Sequence, residues 1–212
     1  MTWRWPVTLR TQLPGGARLT LRPLRRADRG AWESVRQRND GWLGPWESTV
    51  PGEVRGQVPF GRLRRGFDQA GRQATMLPLA IDVDDRLVGQ VQLFDVLWGA
   101  RATASAGYWL DEAATGHGYA SWSLALALDH ALLTSGLHRV EVAVRPENTA
   151  SLAVVQRLRL PEEGVRRGAF HVDGAWRDHR CFAVVAEDLS PSGYAAGGLV
   201  RLLRSAPATG SA

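Results

Sequence analysis

Tyr108-Trp109-Leu110-Asp111-Glu112-Ala113-Ala114-Thr115-Gly116-His117-Gly118-Tyr119-Ala120 is the stretch from which the rest of the chain can be read. Residues 108–110 read as a strand, 115–118 as a glycine turn, and 119–135 as a helix closed by Gly136. Two glycines at a strand-to-helix turn let the backbone tighten and let a ligand approach the main chain with no side chain in the way. The free N–H groups and positive dipole end of the new helix then face whatever anion sits there. The pattern suits a phosphate cradle made of backbone, although a strand, glycine turn and helix also occur as plain packing geometry.

Working outward, the helix at 119–135 is apolar nearly all round (Trp122, Leu124, Leu126, Leu128, Leu132), so a central, buried position is expected for it. Upstream, residues 18–22 alternate as a first strand and 25–38 read as a helix. Residues 39–59 read as loop with a short helix, and 60–71 as a basic amphipathic helix. Residues 76–82 and 86–97 form a hairpin, and 103–110 the next strand. Downstream come a strand at 138–144, a helix at 148–158, and a second hairpin, 165–172 and 176–186, around Asp173-Gly174. On the 138–144 strand, Val140, Val142 and Val144 share one face, and Glu141 and Ala143 the other. Helices interposed among mostly contiguous antiparallel strands imply a mixed sheet covered on both faces.

The chain has 212 residues, enough for one domain with a full core and a short extension at either end. Residues 1–17 read as an irregular extension, 18–188 as the domain, and 189–212, rich in Pro, Ser, Gly and Ala, as a disordered tail. Cys181 is the single cysteine, which excludes an intrachain disulfide and a cysteine metal site and suits a reducing, cytoplasmic setting. The apolar run at 124–133 is short and carries Asp129 and His130, so no membrane span is expected. All 26 basic side chains counted as Lys plus Arg are arginine. The net charge of +5 gives a weak pull toward acidic peptides, cofactor phosphates or RNA, too small to predict direct nucleic-acid binding. Trp3, Trp5, Trp42 and Trp46, four of nine tryptophans, fall in irregular stretches and hint at an aromatic-lined cleft.

The chain resembles the GNAT superfamily of acetyl-CoA-dependent N-acetyltransferases, and within it the RimJ/RimL branch that acetylates protein N-termini. Four segments carry the resemblance. They are Gly107–Leu110 leading into Gly116–Ala120, Leu137-His138-Arg139-Val140-Glu141, Arg145-Pro146-Glu147-Asn148-Thr149-Ala150-Ser151, and Glu163-Gly164 followed by Asp173-Gly174-Ala175-Trp176-Arg177-Asp178-His179. The resemblance implies an α+β, three-layer α/β/α fold with a mixed, mostly antiparallel sheet of six to seven strands. The strand ending at Leu110 would splay from the 138–144 strand, and pantetheine would lie in the gap. Trp109 and Leu110 would flank the thioester, with Tyr108 beside them among the cofactor-binding residues. Thr115, Gly116, His117, Gly118, Tyr119 and Ala120 would hold the phosphates, with Asn148 and Ser151 near the pantetheine and sulfur. The chain departs from the family at Thr115, where Gln or Arg is usual, and at Arg159-Leu160, where the helix usually ends in Gly-Phe.

Acetyl transfer needs a neutral amine, a polarised carbonyl and a proton for the leaving thiolate. An α-amine has a pKa of roughly 8, so a carboxylate acting through water suffices. Glu141 is the first candidate for that base, with an ion-paired strand residue as the alternative. The family's frequent base position falls at Ala143. Ser151, three residues after Asn148 on one helix face, is the candidate proton donor, and backbone N–H near Leu110 could polarise the carbonyl. His138, His171 and His179 lack metal-ligand spacing, and no metal is expected. Direct attack in a ternary complex by a protein N-terminus, ribosomal by resemblance, is the leading reading. A polyamine, aminoglycoside or amino-acid acceptor, or a non-catalytic acyl-CoA-binding domain, are the alternatives. A homodimer is left open.

Overall fold

The structure, a computed structural model, describes residues 2–52, 56 and 58–206. In chain order its elements are β1 (Leu9–Gln12), β2 (Arg18–Arg22), α1 (Arg29–Arg38), α2 (Asp40–Leu43), α3 (Phe60–Arg72), β3 (Leu77–Val83), β4 (Arg86–Leu97) and β5 (Thr103–Leu110). There follow α4 (Tyr119–Asp129), β6 (Arg139–Val144), α5 (Thr149–Arg157), β7 (Glu162–Val172), β8 (Ala175–Val185) and α6 (Leu199–Ser205). The strands join in one sheet, ordered β1-β2-β3-β4-β5-β6-β8-β7. Every neighbouring pair is antiparallel except β5 and β6.

One sheet face carries Leu79, Ile81, Val91, Leu93, Val140 and Val142, packed against Leu124 and Leu128 of α4 and Val155 of α5. Each such fully buried aliphatic side chain contributes about 1.5–3 kcal/mol. The other face is covered by α1 and α3, where Trp32, Val35 and Phe60 meet Ala80 and Leu87. These are the three layers expected. The all-apolar α4 is buried between sheet and α6, as its sequence requires.

A buried ion cluster ties the first layer to the sheet. Arg22 donates from Nη1 and Nη2 to Asp28 at 2.7 and 3.0 Å, and from Nε and Nη2 to Asp82 at 3.0 and 2.8 Å. Asp28 also accepts the Arg25 backbone N–H at 2.6 Å, fixing the entry to α1. Burial works against the Arg22 charge, but the bonds to Asp28 and Asp82 outweigh it and push its pKa higher still.

Three expectations are corrected. The sheet has eight strands rather than six or seven, because β1 pairs with β2 inside the stretch read as an irregular extension. The helix expected over 119–135 is α-helical to Asp129 and then widens into a π turn at His130–Thr134, where Ser135 N–H reaches the His130 carbonyl at 3.0 Å. The tail is folded back as far as residue 206. Both oxygens of Asp129 accept N–H groups at the start of α6, from Leu199 at 2.7 Å and Val200 at 3.0 Å, and Leu199 and Leu203 are buried. Residues 207–212 of that tail, and 53–55 and 57 of the loop expected at 39–59, lie outside the described residues.

Helix α5 ends in a Schellman motif, with Leu160 N–H on the Val155 carbonyl at 3.0 Å and Arg159 N–H on the Gln156 carbonyl at 2.9 Å. The motif needs a left-handed residue, and Arg159 adopts φ +53 with a full side chain. Arg159→Gly is therefore expected to raise stability by about 0.5–1 kcal/mol, the relieved strain being partly offset by the freer unfolded chain. A thermal melt checks this; an unchanged or lower midpoint contradicts it.

Candidate active site

Strands β5 and β6 pair only from Thr103↔Arg139 to Ala106↔Val142. Beyond that, β5 stays with β4 as far as Leu110, while β6 stays with β8 as far as Val144. The two strands diverge because each follows its other neighbour. Asp111 N–H donates to the Val88 carbonyl on the β4 side, and the Ala102 carbonyl accepts from His138 on the β6 side. Alternation along the strand then turns the N–H and C=O groups of Tyr108 and Leu110 toward β6, where no strand partner remains. A free backbone edge in a cleft can pair with a linear amide.

The cleft widens to about 1740 Å³. That exceeds the 300–1,000 Å³ of ordinary small-molecule pockets and leaves room for two substrates. At one end lies the glycine turn. Gly116 has φ +81 and Gly118, the N-cap of α4, has φ +76. The first helical bond runs from Trp122 N–H to the Gly118 carbonyl, so the N–H groups of Tyr119, Ala120 and Ser121 have no helical acceptor. A Cβ on Gly118 would sit 2.9 Å from Nη1 of Arg157, so that guanidinium stands over the turn. Amides, helix dipole and a cation together suit a pyrophosphate. The Thr115 hydroxyl donates to the Glu112 carbonyl at 2.7 Å, and His117 is exposed and stacks on Tyr119 with ring centroids 5.3 Å apart.

At mid-cleft, Tyr108 faces α5. Its Oη is buried and makes no well-formed hydrogen bond. Burial raises its pKa, the nearby Ser151 hydroxyl lowers it, and the net push is up to about 12. It stays a proton donor through the neutral range. Asn148 caps α5, its Oδ1 accepting Ser151 N–H at 2.9 Å, which points Ser151 into the cleft from the first turn. Trp109 donates from Nε1 to Gln90 Oε1 at 3.2 Å and lies between Trp32 and the Arg36 guanidinium. The end of β5 is anchored by a cluster that sequence reading missed. Asp111 is ion-paired to Arg38 and accepts from Asn39 Nδ2 at 2.8 Å, while Asn39 Oδ1 accepts Glu112 N–H at 2.9 Å. The Arg38 hydrogen bond holds the Asp111 carboxyl below the usual carboxylate range, against its burial.

Glu141 lines the cleft on the face shared with Ala143. Its Oε1 is taken by Arg139 at 3.2 Å and its Oε2 by Arg166 at 2.6 Å, and Arg139 continues to Glu163. Both oxygens of the sequence-based candidate base are thus engaged. Of the loop tryptophans, Trp42 and Trp46 do line the cleft, Arg145 lying 5.3 Å over the Trp46 ring, whereas Trp3 is core. Two cleft side chains, Arg157 and His179, had no place in the sequence-based site. The seven-residue spacing of Arg157 from Ala150, which keeps both on one face of α5, and hairpin register for His179 are the signals that could have found them. Among the described residues no group of three or more His, Cys, Asp or Glu could hold a metal ion, and no helix is long and apolar enough to cross a membrane.

Comparison with known proteins agrees with this geometry. Residues 18–160 match the Acetyltransferase (GNAT) domain family. The solved structure of Mycobacterium smegmatis RimJ in complex with CoA-disulfide superposes with a TM-score of 0.86 at 36% identity, covering 97% of each chain. The [Ribosomal protein uS5]-alanine N-acetyltransferase of Escherichia coli is 26% identical over 169 residues, 77% of this chain and 87% of that protein. The probable N-acetyltransferase YjcK of Bacillus subtilis is 38% identical over 105 residues, which span 50% of this chain and 58% of that relative.

Proposed function

The chain belongs to the GNAT acetyltransferase family, and from that membership we propose that it moves acetyl from acetyl-CoA to the α-amine at a protein N-terminus. The acceptor class rests on the likeness to RimJ and to the uS5-alanine enzyme, and a ribosomal protein is the substrate it suggests. The observation that carries the reading is the splay of β5 from β6 opposite a turn of free N–H groups. The cosubstrate supplies an activated acetyl group as a thioester. Around it, the amides of Tyr119 and Ala120 with Arg157 hold the phosphates, and the free edge at Tyr108 and Leu110 aligns the pantetheine arm. Ser151 and Tyr108 carry a proton to the departing sulfur. The acceptor enters from the side of Trp42, Trp46 and Trp109, so that transfer is direct within a ternary complex. The reaction belongs in the cytoplasm.

Thiol release from acetyl-CoA, followed over a panel of peptides and small amines, tests this. Peptides with a free N-terminus should turn over, and the same peptides Nα-blocked should not. Turnover confined to polyamines, aminoglycosides or amino acids would transfer the activity to the other acceptor class. Coenzyme A binding with no turnover on any acceptor would make the domain a non-catalytic binder.

A further inference from the structure

We propose that His179, on β8, is the group that takes the proton from the acceptor amine; the assignment rests on the acetyl-transfer reading above. Its position comes from register. Cys181 pairs with Ala143 and Arg180 with Val144, so His179 lies one strand over, just past the end of β6. Alternation puts it on the same sheet face as Ala143 and Glu141, facing the opened part of the cleft that it lines.

The tautomer is fixed by the backbone. Nδ1 lies 3.0 Å from the Arg177 carbonyl, and because a carbonyl can only accept, Nδ1 carries the hydrogen. Nε2 is therefore the basic nitrogen, and it has no protein partner among the described residues. The Phe170 ring meets the imidazole edge-on at 4.9 Å and holds its orientation. The residue is 6% exposed. Its charged surroundings are Arg145 and Glu147 from the segment after β6, Arg166 opposite it on β7, Glu141 on β6, and Asp178 beside it. Burial is the largest influence and lowers its pKa; the Arg177 carbonyl, Glu147 and Asp178 oppose, and Arg145 adds to the lowering. The ring is neutral at pH 7 and able to accept.

Of the carboxylates on the cleft wall, Glu33, Glu47, Glu141 and Glu147 are each ion-paired to an arginine and Asp40 is partnered as well, whereas His179 Nε2 is unengaged. An ammonium N–H bond breaks and its proton passes to Nε2. The C–N bond then forms at the acetyl carbon as the C–S bond breaks, and a second nitrogen proton reaches the sulfur through Ser151 and Tyr108. His179 returns its proton to solvent, so one proton is released per turnover.

The discriminating variant is His179→Asn, whose amide can keep the bond to the Arg177 carbonyl while removing the basic nitrogen. With a peptide acceptor at pH 7, kcat should fall about 100-fold. The deficit should narrow to within about tenfold at pH 9.5, where the amine, with its pKa near 8, is already neutral. Coenzyme A affinity by calorimetry should stay within about twofold, because the groups assigned to the phosphates, Tyr119, Ala120 and Arg157, lie on α4 and α5 and not on β8. NMR of the wild-type imidazole should show a pKa below the ordinary histidine value and an Nε2 shift when a peptide and coenzyme A are both bound. His179→Gln, which carries its amide out to the Nε2 position, gives the same prediction should the asparagine variant not fold. Retained kcat at pH 7, a deficit unchanged with pH, or loss of coenzyme A binding would each overturn the assignment. A wild-type protein that binds coenzyme A but acetylates nothing would overturn the acetyl-transfer reading itself, and His179 with it.

Discussion

Arg22→Ala is expected to destabilise the fold by about 3–5 kcal/mol, a large part of the 5–15 kcal/mol that holds a domain together. Arg22 is 5% exposed and is shared by Asp28 and Asp82, themselves buried. Truncation leaves two carboxylates in a dry interior with no cation between them, which costs far more than the pair contributes when complete. The damage should spread, because Asp28 also orders the start of α1 and α1 carries Trp32 and the Arg38 anchor of β5. Urea unfolding measures it. A midpoint shift worth less than about 1 kcal/mol would mean the cluster is solvated and does not organise the first layer.

Gly118→Val is expected to weaken coenzyme A binding about 100-fold while the free protein stays folded. The residue sits at φ +76, where a β-branched side chain is strained by about 1–3 kcal/mol, and a Cβ there meets Arg157 at 2.9 Å. The turn is exposed or half-buried, so it can relax without opening the core. Relaxation swings the Tyr119 and Ala120 amides off the phosphates and displaces the guanidinium. Loss of one or two charge-assisted hydrogen bonds at about 1.5–3 kcal/mol each accounts for the factor. Calorimetry on Gly118→Val beside Gly118→Ala checks it, the alanine variant being intermediate. Affinity within threefold of wild type, with an unchanged circular dichroism spectrum, contradicts it.

Much of the fold was legible because its signals are local. The apolar circumference of α4, the glycines that bracket it and the alternation of 138–144 each depend on neighbouring residues, and all three stand in the structure. What was hidden is non-local. Composition marks 189–212 as a tail, yet the cap that folds it back is Asp129, 70 residues earlier. Strand β1 is four residues long, too short for a periodic signal, and forms because β2 offers an edge. Residues 103–110 alternate identically whether β6 pairs with all of them or half, so the splay entered through the family resemblance alone. Glu141 and His179 differ for the same reason. A strand pattern gives the face on which Glu141 lies but not the arginines from β6 and β7 that hold both its oxygens. His179 becomes interesting only once hairpin register sets it beside the splayed strands.

In the proposed reaction, backbone amides freed by diverging strands grip the cosubstrate. Hydrogen–deuterium exchange with and without acetyl-CoA tests it most directly. Slowed exchange is predicted at Tyr108 and Leu110 and at Tyr119 to Ser121, with little change on β1, β2 and β3. Protection confined to other segments, or none at saturating acetyl-CoA, would contradict it.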